Sequence, residues 1–533
     1  MRKLILTAWV SAWALSGQTA RDACVPPPGS VPPTLPAKLL DGQGKIHFQI
    51  TTSSRDAQAF FNQGVAQMHS FWAREAERSF LQAASLDPDA AMPHWGIAMV
   101  AAGDYRPGFQ LDLVGGKQVR ASREGRPSGG GLRAVEAARK ALELAEKPGK
   151  ATPLEKLYIQ AVAARRDVEA KDANAGYTEG LRALLASYPK EVEARSYLAL
   201  HIMSGFVLPE KTPRPGTTEA VAILRALLAE APDHPGAHHY VIHGWEGSTF
   251  AKEAWPSCRR YAESAPNIPH ALHMPGHIYA QTGRWADAAR AFADAAENEL
   301  GWMKADSLAG NQHHAHNVHF LAASQSFNGE YDGALKAARS LLEYAETPRE
   351  AGQADNFRTA YRQGWFAVMR TLVQHEKWDE ILGGKLLPDM DKPRQQAWRA
   401  WALGLAHAAK GDLGSARTES ARMETALAEL KKVVREGTAE PVEVAVQDLE
   451  GHILLASGKL DQSLKVLRKA ADRERSLRYN EPPSYPRPVL VAIGNAALAN
   501  GKLDLAERTF REALEQYPGS AGALAGLRAS THK

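Results

Sequence analysis

The sequence predicts an all-α protein, a right-handed α-solenoid of about eleven helix-turn-helix units. Helical periodicity runs through most of the 533 residues, and strand-like alternation is confined to residues 44–52. Small residues, aromatic residues and turn glycines recur with a period of 34 residues, the length of one kind of helix-turn-helix repeat. In addition, ten of the nineteen histidines lie between His238 and His319. A repeat array accounts for these observations, because successive units bring equivalent side chains into line.

The repeat frame is visible in residues other than histidine. It requires a glycine within the first helix, a glycine at the turn, and an alanine and an aromatic residue on the second helix, because small residues let two helices approach closely. Residues 57–90, 269–302 and 487–520 match well, and residues 397–430 and 444–477 match at fewer positions. The matching residues in the three best stretches are Gly64, Ala76, Phe80, Ala83 and Pro88; Gly276, Tyr279, Gly283, Trp285, Ala288, Phe292 and Ala295; and Gly494, Gly501, Ala506, Phe510, Ala513 and Pro518.

Residues 1–20 have the features of a signal peptide. Arg2 and Lys3 precede an apolar segment, Leu4–Leu15, which is followed by small residues. The alternative is an uncleaved membrane anchor, but an apolar segment of this length is short for a bilayer span. No later segment is apolar enough to cross a membrane. We therefore expect an exported protein, periplasmic or secreted, with no membrane span in the mature chain.

We expect the mature chain to consist of an N-terminal tether with a lead-in segment, followed by two repeat arrays. Residues 21–55 are a Pro-rich tether followed by an extended lead-in. Residues 56–348 are an N-terminal array, in which residues 235–320 carry a histidine-rich groove. Residues 349–533 are a C-terminal array that ends in a capping helix, because the open end of a solenoid must be covered.

Charge and cysteine content exclude some functions and leave others open. The formal net charge of +4 is small for 533 residues. The basic run Lys117–Arg126 lies in a glycine-rich stretch without aromatic residues, so it indicates a solvated loop, and we expect no nucleic-acid partner. Cys24 and Cys258 are the two cysteines. They form either a disulfide bridge or two free thiols.

Histidines of consecutive repeats share a register. His239 and His243 lie four residues apart, as do His273 and His277, and the two pairs are separated by one period of 34 residues. In this architecture the first helix of each unit lines a concave groove, and residues four apart lie on one helical face. Seven imidazoles from three consecutive first helices are therefore expected to point into one part of the groove. They belong to His239, His243, His270, His273, His277, His316 and His319.

Two imidazoles four apart on a helix are typical of a transition-metal site, because their ring nitrogens reach one ion at ~2.0 to 2.1 Å. Packed helices lie about 8 to 10 Å apart, so two such pairs can share one ion or hold two. Nitrogen ligands favour Zn or Cu, with Ni and Fe as further options, over Ca or Mg. Glu246 and Asn317 are candidates for further ligands or for partners of the ligands. Histidines that only hydrogen-bond one another, or that line a protein-binding groove, are the alternatives.

The sequence contains no complete catalytic motif. Tyr240 and Met274 stand where a zinc peptidase places a glutamate directly after its first histidine. No Gly-x-Ser-x-Gly, phosphate loop or dinucleotide fingerprint occurs in a strand-turn-helix context. A multi-histidine centre of the kind found in copper oxidases stays open, with Tyr240 and Tyr279 as redox or acid partners or, alternatively, as packing residues.

Several short segments carry a resemblance to a known family. They are residues 61–64, 86–98, 237–243, 269–278, 317–321 and 481–483. On these residues and on its period, the chain resembles tetratricopeptide repeat (TPR) proteins over essentially its whole mature length, and in particular a group of large exported bacterial TPR proteins of unassigned function. The resemblance implies an all-helical superhelix whose groove binds protein or peptide, and it implies no reaction. Residues 235–268 depart from the pattern, because Ile242 stands where the frame expects a small residue.

Two functional hypotheses follow from the sequence. The first is an exported TPR scaffold that binds a peptide or protein partner in its concave groove and carries a transition-metal site built from histidines of consecutive repeats. The second is a Cu- or Zn-dependent metalloenzyme, an oxidoreductase or hydrolase, in which the solenoid holds a multi-histidine centre. Metal content of the purified protein distinguishes a metal-loaded chain from a plain binding scaffold.

Overall fold

Helices dominate the computed structural model, which describes residues 36–103, 113–114, 117–118, 130–207, 210–305, 312–344, 359–434, 437–477 and 482–531. The predicted signal peptide, most of the Pro-rich tether, Cys24 and most of the basic run lie outside the described residues. The strands in the described part of the chain form two antiparallel two-residue hairpins. The prediction of an all-α protein is therefore confirmed.

The first eight helices and both hairpins lie before the histidine-rich region. Their bounds are α1 Arg55–His69, α2 Ala73–Leu86, α3 Met92–Val100, β1 Leu113–Val114, β2 Lys117–Gln118, α4 Gly130–Ala145, α5 Pro153–Arg166, α6 Ala173–Ser187, α7 Val192–Ile202, β3 Phe206–Val207, β4 Thr212–Pro213 and α8 Pro215–Glu230. Local sequence explains several of these boundaries. The Ser54 hydroxyl accepts from Ala57 N at the start of α1, and Thr152 and Glu155 form a capping box at the start of α5.

The histidine-rich region forms six helices and a short 3-10 helix. Their bounds are α9 Pro235–Trp245, the 3-10 helix Ala251–Ala254, α10 Trp255–Ser264, α11 Pro269–Gln281, α12 Trp285–Ala305, α13 Gln312–Asn328 and α14 Tyr331–Leu342. Helices α9 and α11 both begin with a proline, whose missing N–H costs nothing in the first turn.

The remaining helices are α15 Ala360–Gln374, α16 Trp378–Leu382, α17 Pro393–Ala409, α18 Leu413–Val433, α19 Glu440–Ala456, α20 Leu460–Ser476, α21 Val489–Ala499, α22 Leu503–Gln516 and α23 Ala521–Thr531. Taken two by two along the described chain, the helices make eleven pairs, and α23 follows the last pair. This is the number of units that the sequence predicts. None of the described helices is both long and apolar enough to cross a membrane.

The chain divides into two compact units. Among the described residues, one unit consists of residues 36–367 and 514–524, and the other of residues 368–513 and 525–531. The histidine-rich region belongs to the first of these units.

An extended segment at the beginning of the described chain packs into the first unit. Ile46, Phe48 and Ile50 alternate with exposed residues and are buried. The ring of Phe48 lies 5.5 Å from that of Phe61 on α1. Side chains of α1 replace the partner strand that an extended backbone normally needs, since Gln58 Nε2 donates to the carbonyl oxygen of Phe48 at 2.9 Å. The lead-in is therefore part of the core of this unit.

Helix α1 also packs against α9, far along the sequence. The ring of His69, at the end of α1, contacts Tyr240 on α9. Gly236 makes the approach possible, because a Cβ at this position would collide with the His69 ring. This contact brings the end of the first repeat onto the first of the two helices that carry paired histidines.

Candidate metal centre

Three of the seven predicted ligands converge at one point. His239 and His243 lie on α9 and His270 lies on α11. Each offers a ring nitrogen, and these three nitrogens all lie within 4.8 Å of one another. We call His239, His243 and His270 the three-histidine cluster. Its members come from the first helices of adjacent repeats, which is the origin that the repeat register predicts.

Hydrogen bonds determine which ring nitrogen of each α9 histidine carries a proton. His239 Nδ1 lies 2.5 Å from the carbonyl oxygen of His69, and a carbonyl oxygen only accepts, so Nδ1 carries the proton. His243 Nδ1 likewise donates to the Glu246 carboxylate, at 2.9 Å. In the neutral form of each ring, Nε2 therefore keeps its lone pair. A donated Nδ1–H and an unprotonated Nε2 are the usual state of a metal-ligating histidine.

The separation between the ring nitrogens of His239 and His270 suits a shared ion. His239 Nε2 lies 3.1 Å from His270 Nε2. Two nitrogens that each stand ~2.1 Å from one ion are separated by about 3.0 Å at a right angle and about 3.4 Å at the tetrahedral angle. The observed separation falls between these values. The donor set of three imidazoles suits Zn or Cu.

The cluster is enclosed rather than open to solvent. His239 is 0% exposed, His243 3% and His270 9%. The ring of Phe71 lies 4.5 Å from the ring of His239 and 5.3 Å from that of His243. Phe71 has a backbone φ of 55°, a left-handed conformation that is strained for an aromatic residue. The sequence places these imidazoles on a groove surface, and the structure encloses them because α1 and Phe71 pack over α9.

The second histidine pair, His273 and His277, lies on α11, beside the first pair on α9. His273 Nε2 and His277 Nε2 are 2.7 Å apart, and the ring of His316 lies 5.0 Å from that of His273. Glu246 stands between the two pairs, since its second carboxylate oxygen lies 3.7 Å from His277 Nδ1. Six of the predicted ligands, together with Glu246, thus lie in one connected group on α9, α11 and α13.

Three other residues singled out in the sequence contact different neighbours. His319 Nδ1 lies 2.6 Å from Gln363 Oε1, and Asn317 donates to the Glu299 carboxylate at 3.4 Å. The ring of Tyr279 lies 4.9 Å below the guanidinium of Arg284, which is a packing role.

His69 also belongs to a second buried cluster, which the sequence did not predict. The Glu193 carboxylate on α7 accepts hydrogen bonds from His69 Nε2 at 2.6 Å and from His234 Nε2 at 3.3 Å. The three residues are at most 6% exposed. We call His69, Glu193 and His234 the carboxylate-centred cluster. No spacing in the sequence relates them, because they come from three different repeats, and only the position of His234 beside the histidine-rich region was a signal.

The carboxylate-centred cluster differs from the three-histidine cluster in its charges. Burial opposes ionisation of Glu193, but the two imidazoles that face it outweigh burial and hold its pKa well below the usual range. Burial lowers the pKa of His69, although Glu193 counteracts part of that effect. The pair is therefore an ionised carboxylate and a neutral imidazole at neutral pH. Since His69 Nε2 donates to Glu193, its Nδ1 accepts from the Tyr240 hydroxyl at 3.0 Å.

His234 has no lone pair to offer a metal. It is the N-cap of α9, and its Nδ1 accepts from Ala237 N at 3.0 Å. Nε2 must then carry the proton that is donated to Glu193. Both ring nitrogens of the neutral ring are thus committed to the protein. The carboxylate-centred cluster is a closed hydrogen-bond network, whereas in the three-histidine cluster His239 and His243 each keep an unprotonated Nε2.

His238 shows what an ordinary buried histidine in this region does. Its Nε2 donates to the carbonyl oxygen of Pro232 at 2.8 Å, and its Nδ1 accepts from the Ser257 hydroxyl at 3.1 Å. It lies on the same helix as the α9 ligands but faces α10. His238 is therefore a matched control for them.

The packing between paired helices identifies the type of repeat. At Gly64, a Cβ would lie 2.6 Å from the Phe80 ring, and at Gly276 it would lie 2.5 Å from the Phe292 ring. Gly494 meets Phe510 with the same spacing along the chain. A glycine of the first helix facing an aromatic residue of the second at constant separation is the packing that the 34-residue TPR frame requires. The chain thus has TPR-type helix packing.

No protein family matches the sequence, and no curated protein matches it. Solved structures that resemble the fold include the human IFIT1 dimer with PPP-AAAA, at 13% identity over 70% of this chain and 73% of that chain, with a TM-score of 0.35.

Two further similar structures are proteins of the same repeat type or of comparable size. A tetratricopeptide repeat protein from Parabacteroides merdae is 11% identical over 62% of this chain and 96% of its own, with a TM-score of 0.32. Yeast Tom70 is 11% identical over 90% of this chain and 89% of its own, with a TM-score of 0.27.

Proposed function

We propose that this protein is a TPR-type scaffold that binds a transition-metal ion, Zn or Cu, on His239, His243 and His270. The observation that carries the proposal is the convergence of three ring nitrogens, two of them on imidazoles whose Nδ1 is held by an acceptor. Such outer partners orient metal-ligating histidines and raise their basicity. Three imidazoles without a thiolate favour Zn or Cu over the hard cations Ca and Mg.

We further propose that the protein is exported and that its concave groove holds a peptide or protein partner. The support for export is the residue pattern at positions 1–20, and the support for a groove partner is the TPR-type packing. Cell fractionation of the full-length chain and of a chain that begins after residue 20 tests the first part. Equal distribution of both chains between the fractions would contradict export.

A Cu- or Zn-dependent enzyme is the second candidate function. Three protein ligands leave a coordination position for water or substrate, as in catalytic zinc sites. Phe71 stands against this role in the enclosed state, because its ring covers the imidazoles of His239 and His243. Binding of azide to the copper-loaded protein, followed by its absorption spectrum, would favour an open position.

Metal content tests the main proposal. The protein is purified without chelators, its metal is quantified by mass spectrometry, and metal-depleted protein is titrated separately with Zn and Cu. We expect at least one ion per chain in the unchanged protein and in His238→Ala, and loss of the ion from His239→Ala and from His270→Ala.

Two ligand variants are used in case one of them fails to fold. His239 is fully buried, so His239→Ala is compared by circular dichroism with the unchanged protein, while His270 lies at the edge of the cluster and tolerates substitution better. Absence of metal from the unchanged protein after titration with both ions overturns the proposal. Retention of the ion in a folded His270→Ala variant overturns the ligand assignment.

A further inference from the structure

We propose that Phe71 closes the fourth coordination position of the three-histidine cluster and thereby makes it a three-coordinate site that selects monovalent copper over zinc. This inference rests on the proposed function, because it concerns the ion held by His239, His243 and His270. Two observations carry it, namely the place of Phe71 in its repeat and the arrangement of its ring among the three imidazoles.

Phe71 stands where the repeat places a turn glycine. In five other described units, the turn between the paired helices contains a glycine with a φ between 69° and 88°; these are Gly283, Gly329, Gly411, Gly458 and Gly501. The residue that follows each of these glycines donates its N–H to the carbonyl oxygen five residues earlier. Trp72 N donates to the Gln67 carbonyl oxygen in the same way, at 2.9 Å, so Phe71 has the glycine position of its turn.

A phenylalanine is unfavourable at this position. A left-handed backbone favours glycine, because a Cβ is crowded there, and Phe71 has a φ of 55°. In the turn after α15 the same position is occupied by Glu376, which is exposed to solvent. Phe71 is instead only 2% exposed. A residue that is strained and whose ring is buried against a cluster of imidazoles indicates a function for that ring.

The Phe71 ring lies near all three imidazoles of the cluster. Its centre is 4.5 Å from the ring centre of His239, 5.3 Å from that of His243 and 5.8 Å from that of His270. The imidazole centres are themselves 4.7, 4.9 and 6.2 Å apart. The four rings therefore stand at the corners of an irregular tetrahedron, and a phenyl ring has the fourth corner.

The size of this tetrahedron fits a metal ion at its centre. The point equidistant from the four ring centres lies about 3.3 Å from each of them, close to the separation of about 3.2 Å between an imidazole centre and an ion bound ~2.1 Å from its nitrogen. At the fourth corner, the phenyl ring offers no lone pair, and its carbons fill the space in which a water molecule would bind the ion. The ion therefore has three ligands.

Three ligands suit monovalent copper better than zinc. Zinc in proteins takes four ligands, and water completes the set where the protein supplies three. Monovalent copper has half the charge of a zinc ion and a filled d shell, so three nitrogen ligands are sufficient for it, and imidazole is a suitable copper ligand.

The charge of the enclosure favours the same ion. The three histidines are at most 9% exposed, so a net charge among them is costly. Glu246 accepts from His243 Nδ1 at 2.9 Å and brings one negative charge to the cluster. A monovalent ion is balanced by that charge, whereas a divalent ion exceeds it by one positive charge.

The relative affinity for the two ions tests the inference. Metal-free protein is titrated anaerobically with Cu(I) against a chromogenic Cu(I) chelator, and separately with Zn against a zinc chelator. Phe71→Gly restores the turn glycine and removes the ring, so that water reaches the fourth position. We expect its zinc affinity to rise about tenfold or more while its Cu(I) affinity does not rise. Glu376→Gly makes the same backbone change in another turn and should leave both affinities unchanged.

The number of ligands is a second readout, and for copper it needs no variant. X-ray absorption spectroscopy of the unchanged protein loaded with Cu(I) should show three ligands, and zinc-loaded Phe71→Gly should show four. Phe71→Ala repeats these measurements in case Phe71→Gly fails to fold, and circular dichroism checks the fold of both variants.

The outcomes separate this inference from the proposed function. An equal ratio of Cu(I) to Zn affinity in the unchanged protein and in a folded Phe71 variant overturns the role of Phe71 and leaves the three-histidine site in place. A fourth ligand on the copper ion of the unchanged protein does the same. Binding of neither Cu(I) nor Zn to the unchanged protein overturns the proposed function itself.

Discussion

The three-histidine cluster and the carboxylate-centred cluster meet at His69, yet their imidazoles present different atoms to their surroundings. The backbone oxygen of His69 accepts a hydrogen bond from His239 Nδ1 of the first cluster, and the ring of His69 donates one to Glu193 of the second. Both clusters are buried and both satisfy the distance requirement of a metal site. Distance alone does not distinguish them.

The difference lies in the partners of each Nδ1. In the first cluster, Nδ1 of His239 and of His243 faces an acceptor, so each Nε2 retains a lone pair. In the second cluster, Nδ1 of His234 faces a backbone donor, so its Nε2 carries a proton. The group behind a buried histidine thus decides whether its Nε2 carries a proton or a lone pair.

The largest expected effect is structural and concerns the carboxylate-centred cluster. Glu193→Ala removes a buried carboxylate that accepts from two imidazoles, and leaves both donors without that acceptor. We expect the free energy of unfolding of the metal-free protein to fall by about 3 kcal/mol. Urea denaturation measures it. Glu230→Ala, at an exposed ion pair with Arg195, is the control and should change little. A loss below about 1 kcal/mol would show that Glu193 is not an essential acceptor.

The next effect is the stabilisation that metal provides through the three-histidine cluster. At a free-ion concentration of about 100 times the dissociation constant, the ion should raise the free energy of unfolding by about 2.7 kcal/mol. His270→Ala should abolish this increment, and His238→Ala should retain it. Urea denaturation with and without the ion provides the comparison. An equal increment in His270→Ala would place the ion elsewhere.

Glu246→Gln should have a smaller effect, confined to the metal-loaded protein. The amide keeps the shape of the side chain but loses the charge that holds His243 Nδ1 at 2.9 Å. We expect a loss of at least about tenfold in metal affinity, or about 1.4 kcal/mol. Titration against a competing chelator measures it, with the exposed Glu253→Gln as control. Unchanged affinity would mean that Glu246 does not orient a ligand.

The smallest effect belongs to His234. Asn is a good N-cap, so His234→Asn preserves the start of α9 while it removes one donor to Glu193. We expect a loss of about 1 kcal/mol in the free energy of unfolding and no change in metal affinity. The comparison of the two clusters fails if metal affinity falls in this variant while its circular dichroism is unchanged.

Part of the candidate site followed from local spacing. His239, His243, His273 and His277 could be placed together from the sequence because helical spacing and repeat period are short-range properties. His69 could not, since α1 lies far from α9 in sequence, and Glu193 could not, since no repeat spacing relates it to the histidines of α9. The repeat position of His319 predicts that it joins the other six histidines, whereas in the structure its Nδ1 faces Gln363 Oε1.

The amino-acid sequence by itself determined the helical pairs, their count and the register of their histidines, because these depend on spacings within one or two repeats. Only the tertiary structure decided that the imidazoles are enclosed and that Nδ1 of His239 carries a proton. Both properties come from the packing of α1 on α9, which places Phe71 over the rings and the His69 carbonyl oxygen behind His239. Contacts of this range depend on the path of the whole repeat array, and no local pattern encodes them.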